Sequence, residues 1–207
     1  GKPTMALAER VRDIAVDAAG NAWVATAGGV SFIHFKGMTL AEKAKHYEDE
    51  IDKYNRRTKF GYVIEAHAPQ AGKKTDTRVG DSDNDGLWTS MYGAGECFAY
   101  GATKDPLAKR RAKRAFAALS FLSEAPKGSE HEPPRGFIAR TVLETTAADP
   151  NLGSYTLENQ RRTRKGKDGY WRVYEPRWPK SADGKYYWKS DTSSDELDGH
   201  YFFYPLY

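Results

Sequence analysis

The chain has 207 residues, 39% hydrophobic and 29% charged, with a net charge of +4 and a single cysteine, Cys97. The length allows one large domain or two small ones. No apolar run approaches the ~20 residues of a membrane-spanning helix, so no membrane partner is expected, and one cysteine excludes an intramolecular disulfide framework.

Val11–Val16 alternates, turn residues follow at Asp17–Asn21, Ala22–Thr26 alternates again, and Gly28-Gly29 turns into Val30–Phe35; three short strands are expected. Thr39 and Glu42 form a capping box for a helix over 39–57. Leu40, Ala44, Tyr47, Ile51 and Tyr54 lie on one of its faces. Gly61–Ala66 reads as extended and Pro69–Gly80 as a polar loop. Leu87–Thr103 is apolar or small nearly all round, which predicts a helix buried on most sides. Gly93, Gly95 and Gly101 would let its neighbours come close. Lys104-Asp105-Pro106 stops that helix and starts another over 106–123, striped by Ala108, Ala112, Ala115, Leu119 and Leu122. Gly136–Leu143 suits a short strand. Tyr170–Trp178 and Lys185–Ser190 suit a hairpin around Asp183-Gly184. A last helix spans 193–204, before Pro205.

Two segments resemble known architectures. VRDIAVDAAGNAWVATAGGVSFI resembles one propeller repeat of bacterial sensor and polysaccharide-utilisation proteins, and no second copy follows. DNDGLWTSMYGAGECFAYGATKDPLAKRRAKRAFAALSFL looks like a helix pair of (α/α) toroid carbohydrate-active proteins. That group holds glycoside hydrolases, polysaccharide lyases and uronyl epimerases. SSDELDGHYFFYPLY looks like a further inner-helix start. The resemblance implies a mainly α fold with small β segments. A propeller-like β repeat is expected over 1–37. An incomplete toroid-like domain is expected over 38–207, with an aromatic β-hairpin near 170–190. A complete toroid needs about six helix pairs. The start at Gly1 and the apolar end at Tyr207 suggest a processed chain that belongs to a longer polypeptide.

Three constellations could carry chemistry. Asp81, Asp83 and Asp85, with Gly86, match the opening of a calcium loop, although Tyr92 stands where its last carboxylate belongs. Capping of the following helix, or contact with sugar, is the competing reading. Glu196 and His200 share a helical face beside Asp195, and such a carboxylate–imidazole pair can perform general acid–base work. The competing reading is a Ser193–Glu196 capping box. Trp171, Arg177, Trp178 and Trp188 can stack on pyranose rings or pair with acidic groups, unless they pack beneath the hairpin. Trp88 at the start of the inner helix and Arg140, which suits an acidic sugar, complete the substrate-binding set. Cys97 reads as an inert buried thiol.

The basic runs Lys109–Arg114 and Arg161–Lys167 favour an acidic ligand, or else are solvated faces. The expected function is action on a polysaccharide, preferably acidic, by hydrolysis or β-elimination, in a secreted or periplasmic protein with calcium as its one candidate cofactor. The alternatives are a non-catalytic glycan-binding or sensor module and, with no motif behind it, a nucleic-acid binder.

Overall fold

A computed structural model describes residues 10–69, 73–80 and 83–207. The fold is mainly α with small β segments. The chain divides into two compact units: Gly1–Arg56 with Glu65–Gly80, and Arg57–Ile64 with Asp81–Tyr207. No helix among the described residues is long and apolar enough to cross a membrane.

In the first unit, β1 (Val11–Val16), β2 (Ala22–Thr26) and β3 (Gly29–Ile33) form an antiparallel sheet in that order. The Asp17 carboxylate organises the first turn. It accepts from the backbone of Ala19 and Asn21, from the Asn21 amide and from the Trp23 indole. These bonds, that of the Asn21 side chain foremost, hold its pKa below the ordinary value. The register puts Ile14, Val16, Ala22, Val24 and Ile33 on one face, and Ala15, Trp23, Ala25, Val30 and Phe32 on the other. Both faces are therefore apolar. Ile14, Val16, Trp23, Val30 and Phe32 are all exposed. Helix α1 (Leu40–Tyr54) carries the expected Thr39–Glu42 capping box. Its apolar stripe, however, buries no residue, and Leu40 and Tyr47 lie in solvent.

The chain passes through two-residue strands, β4 (Arg56–Arg57) and β5 (Tyr62–Val63), on either side of the turn at Gly61. Gly61 has φ +77°, and the Arg114 guanidinium lies where a Cβ would project. The second unit is built around α2 (Asp85–Thr103). Lys104, in the left-handed region, ends α2. Asp105 then accepts from Leu107 N–H to start α3 (Pro106–Glu124), which returns antiparallel. The predicted alanine–leucine stripe of α3 is its buried face.

Later elements follow, the last helix packing on α2. They are β6 (Val142–Glu144), the basic helix α4 (Leu157–Gly166), β7 (Tyr186–Trp188) and α5 (Ser194–Phe203). Gly86 of α2 meets Glu196 and His200 of α5, and Gly93 meets Phe203. The two helices therefore run parallel, side by side, with their N-termini at the same end.

Two expectations are corrected. First, α2 is not buried on most sides. Its buried face carries Thr89, Ser90, Gly93, Ala94 and Glu96, while Trp88, Met91 and Phe98 are exposed. Its helical neighbours α3 and α5 cover only part of its circumference, and Cys97 is in consequence half-buried. Second, the hairpin around Asp183-Gly184 is shorter than expected: Ser181 N–H donates to the Tyr186 carbonyl, Trp188 N–H to the Pro179 carbonyl and Ser190 N–H to the Arg177 carbonyl, but no strand forms over 170–178. Strand β7 also pairs with β6, placing Val142 opposite Trp188 and Glu144 opposite Tyr186. Pro176 and Pro179 remove N–H donors from the first arm, so there its carbonyls carry the pairing.

Gly93 sets how closely α5 can approach. A Cβ there would lie 2.7 Å from the Phe203 ring and 3.0 Å from the Ala115 Cβ. Gly93→Ala is expected to lower unfolding stability by about 1–3 kcal/mol through overpacking, measured as a shift in the urea midpoint. Gly95→Ala, which meets nothing within 4 Å, is expected to be neutral or stabilising, because alanine is the better helix former.

Candidate functional site at the joined helix N-termini

A helix leaves its first backbone N–H groups without internal partners. Asn84 occupies the cap position of α2, but its side chain makes no capping bond. The open N–H of Leu87 donates instead to Glu196 Oε2, at 2.9 Å, across from α5. Glu196 thus caps the neighbouring helix. The expected Ser193–Glu196 box does not form, because Ser193 makes no side-chain capping bond and the Glu196 carboxyl is turned toward α2.

The contact is possible only because residue 86 is glycine. A Cβ there would lie 2.6 Å from both Glu196 Oε2 and His200 Nε2. Glu196 and His200 do share a helical face, and that face is pressed against α2; they are 2% and 1% exposed. Burial raises the Glu196 pKa to about 7, opposed by the Leu87 N–H and Arg140, and Glu196 Oε1 has no hydrogen-bond partner. Burial also lowers His200 to about 4, so its imidazole is neutral at pH 7. His200 Nδ1 shares a 2.8 Å hydrogen bond with the Tyr204 hydroxyl, which burial pushes up to about 12. Asp195, next to Glu196, is exposed.

Beneath this contact lies a buried ion pair. Asp85, fully buried, pairs with Arg57 and accepts from the Thr141 hydroxyl. Arg57 also donates to the Val142 carbonyl at 2.9 Å and to Thr141 Oγ1 at 2.8 Å. Every strong polar demand of this charge pair is met locally, as burial requires.

Toward solvent lies a second network. Asp83 sits in the left-handed region, with φ +63°, and its carboxylate pairs with Lys189. Lys189 is completely buried. Its ammonium lies over the rings of Tyr155 and Trp178 and 3.3 Å from the Tyr155 hydroxyl. Asp191 faces Lys189 at 3.8 Å and Arg140 at 3.7 Å, and pairs with Arg177 at 2.5 Å. Arg140 Nε donates to the Asp83 carbonyl at 2.8 Å.

No family model, curated protein or solved structure matches this chain.

Of the three calcium candidates, Asp81 lies outside the described residues. Asp83 and Asp85 do not converge: one carboxylate is held by Lys189 and the other by Arg57. A cation in this loop would compete with both ion pairs. Among the described residues, no group of three or more His, Cys, Asp or Glu side chains could hold a metal ion.

The aromatic candidates separate. Trp88 is exposed, at 44%. Trp171 is half-buried and carries the Arg177 guanidinium over its ring, 4.1 Å from the centroid. Trp178 and Trp188 correct the stacking expectation: at 1% and 2% exposure they are core residues with no ring face for a sugar. Arg177 is likewise buried, held by Asp191, Gln160 and the Arg172 carbonyl.

Sequence reasoning missed Lys189, Asp191, Arg57, Thr141 and Tyr155. Lys189 carried one signal. It extends the Tyr-Tyr-Trp strand on the face of Tyr187, where a lysine must either reach water or find a buried partner.

Two predictions follow from these burials. Glu196 holds its proton more tightly folded than unfolded, so its contribution is complete below about pH 4.5 and is lost as pH rises through about 7. His200 behaves oppositely: its contribution is complete above about 6.5 and is lost as pH falls through about 4. The two slopes oppose each other between about pH 4.5 and 6.5. Urea titrations are expected to show Glu196→Gln gaining stability with rising pH across that window and His200→Gln losing it, each by up to about 1.4 kcal/mol per pH unit. Equal pH profiles for both variants would refute the assignment. Separately, Asp85→Ala strands the buried Arg57 charge and is expected to cost about 3–5 kcal/mol in the same measurement.

Proposed function

We propose that this chain is a carbohydrate-active protein of the (α/α) toroid type. It acts on a polysaccharide, preferentially an acidic one, at the joined N-termini of α2 and α5. One observation carries the reading: α2 and α5 run parallel as inner helices would, α3 returns antiparallel as an outer one would, and ionisable side chains collect where the two N-termini meet. Helix N-termini favour anions, and Arg140 is the partly exposed cation there, with its side chain 18% accessible. The three-stranded sheet, apolar on both faces, suits a propeller blade, whose neighbours stack on each side. The exposed apolar face of α2 suits a chain that works as part of a longer polypeptide. A secreted or periplasmic location goes with a polysaccharide ligand.

Hydrolysis would draw on the reachable carboxylates, Asp83 and Asp195, as an acid and base pair across a bound chain. β-Elimination would draw on Arg140 to neutralise a uronate while a base removes the α-proton. Calcium, if bound, would sit on Asp83 after displacing Lys189.

The second reading is glycan binding without turnover. It is favoured by the burial of Glu196 and His200, which leaves the carboxylate–imidazole pair holding α5 to α2 rather than facing a ligand.

Incubation with pectic, alginate-type and neutral polysaccharides separates the three. New reducing ends alone indicate hydrolysis, and unsaturated-uronide absorbance indicates elimination. Saturable binding of an unchanged chain indicates a binding module. Arg140→Gln is expected to weaken an acidic chain about 10-fold, a loss of about 1.4 kcal/mol, and to leave a neutral one unaffected. Neither turnover nor binding with any of these polymers would reject the proposal.

A further inference from the structure

The two basic runs of the chain occupy opposite electrostatic positions. In α4 the cations Arg164 and Lys165 stand in the last turn, where the helix dipole stabilises positive charge. The fold itself accounts for them. In α3 the run occupies 109–114, in the N-terminal half, and the helix has no acidic residue in its first turn. Lys109 and Lys113 are four residues apart, as are Arg110 and Arg114, and like charges at that spacing repel. Arg114 is engaged with the Phe60 carbonyl and the turn at Gly61. Lys109, Arg110 and Lys113 are exposed, and none has a carboxylate partner among the described residues. The nearest acid, Asp105, caps the helix through Leu107 N–H. At the C-terminal end of α2, Lys104 and Lys109 both lie over the Tyr100 ring, at 5.5 Å and 5.3 Å from its centroid. That brings two ammonium groups to one ring.

We infer that Lys104, Lys109, Arg110 and Lys113 form a second binding surface, one for a linear polyanionic glycan bearing carboxylate or sulfate groups. It lies about 25 Å along α2 from Gly86, at 1.5 Å per residue, and so is distinct from the helix N-termini. The surface deepens the acidic-polysaccharide reading, because one long chain could engage both ends of the inner helix. Its chemistry favours a glycan over a nucleic acid. The one ring on this surface, Tyr100, is covered by two ammonium groups rather than open for base stacking.

The test uses the full chain with heparin, polygalacturonate and duplex DNA as probes, each titrated at several salt concentrations. The variant is the triple Lys109→Gln, Arg110→Gln, Lys113→Gln. Heparin and polygalacturonate affinity is expected to fall at least about 10-fold at low salt, and the log–log salt slope to flatten by about 2–3 as three fewer cations release counterions. The Tm of the variant is expected to stay or rise, because repulsion is relieved and Gln is a good helix former. A Tm that falls would assign the cations to the fold and overturn the inference. So would unchanged glycan affinity, or tighter binding to DNA than to either glycan. Arg140→Gln, at the other end of α2, reports on the earlier reading alone. Loss of binding there with the α3 surface intact, or the reverse, tells the failure of one from the failure of the other.

Discussion

The second unit depends on one contact: Glu196 reaching from α5 to the open N–H of Leu87, over a residue that can only be glycine. It joins two helix N-termini, where backbone donors would otherwise be unmet. Because Glu196 and His200 both press on Gly86, and Phe203 presses on Gly93 one register further along, α5 is fixed beside α2 in direction as well as position. The side chains at the proposed site stand around that pairing. Asp83 and Arg140 stand at the start of α2, Asp195 stands at the start of α5, and Asp85 anchors the α2 end from below through Arg57.

The same contact gives the site an unusual electrostatic layering. Asp85 with Arg57, both buried, and the buried Lys189 with the partly exposed Asp83 are each held by an opposite charge, as low-dielectric surroundings require. Beside them lie a carboxyl shifted to about 7 and an imidazole shifted to about 4, the imidazole neutral at pH 7 and the carboxyl about half protonated there. Groups of this kind attract attention as acid–base candidates. Here burial is the cause of both shifts, and that burial keeps both groups from solvent. The residues that remain reachable are Asp83, Arg140, Asp195 and Trp88.

Local signals in the sequence determined much of this protein. The Thr39–Glu42 box, the Lys104–Pro106 break, the alanine stripe of α3 and the three strands of the first unit are each set by neighbours a few residues away, so periodicity and capping chemistry suffice to find them. Asp83, Glu196, His200 and Arg140 were also legible as residues of the site, because they stand at helix starts or in polar segments beside them. What each one does was not legible. The Ser193–Glu196 spacing is a capping box by every local rule, yet the carboxyl is captured by a donor 109 residues away. Asp83 and Asp85 read as one ligand set, yet a left-handed residue and two distant cations turn them apart. Trp178 and Trp188 read as a surface, yet both lie in the core, Trp188 on the strand that pairs with β6. Partners far along the chain decided these outcomes, because hydrogen bonding and desolvation act on whatever is near in space. The sequence by itself set helices α1, α2, α3 and α5 and which residues carry charge; only the tertiary structure decided which of those charges face solvent and which hold the helices together.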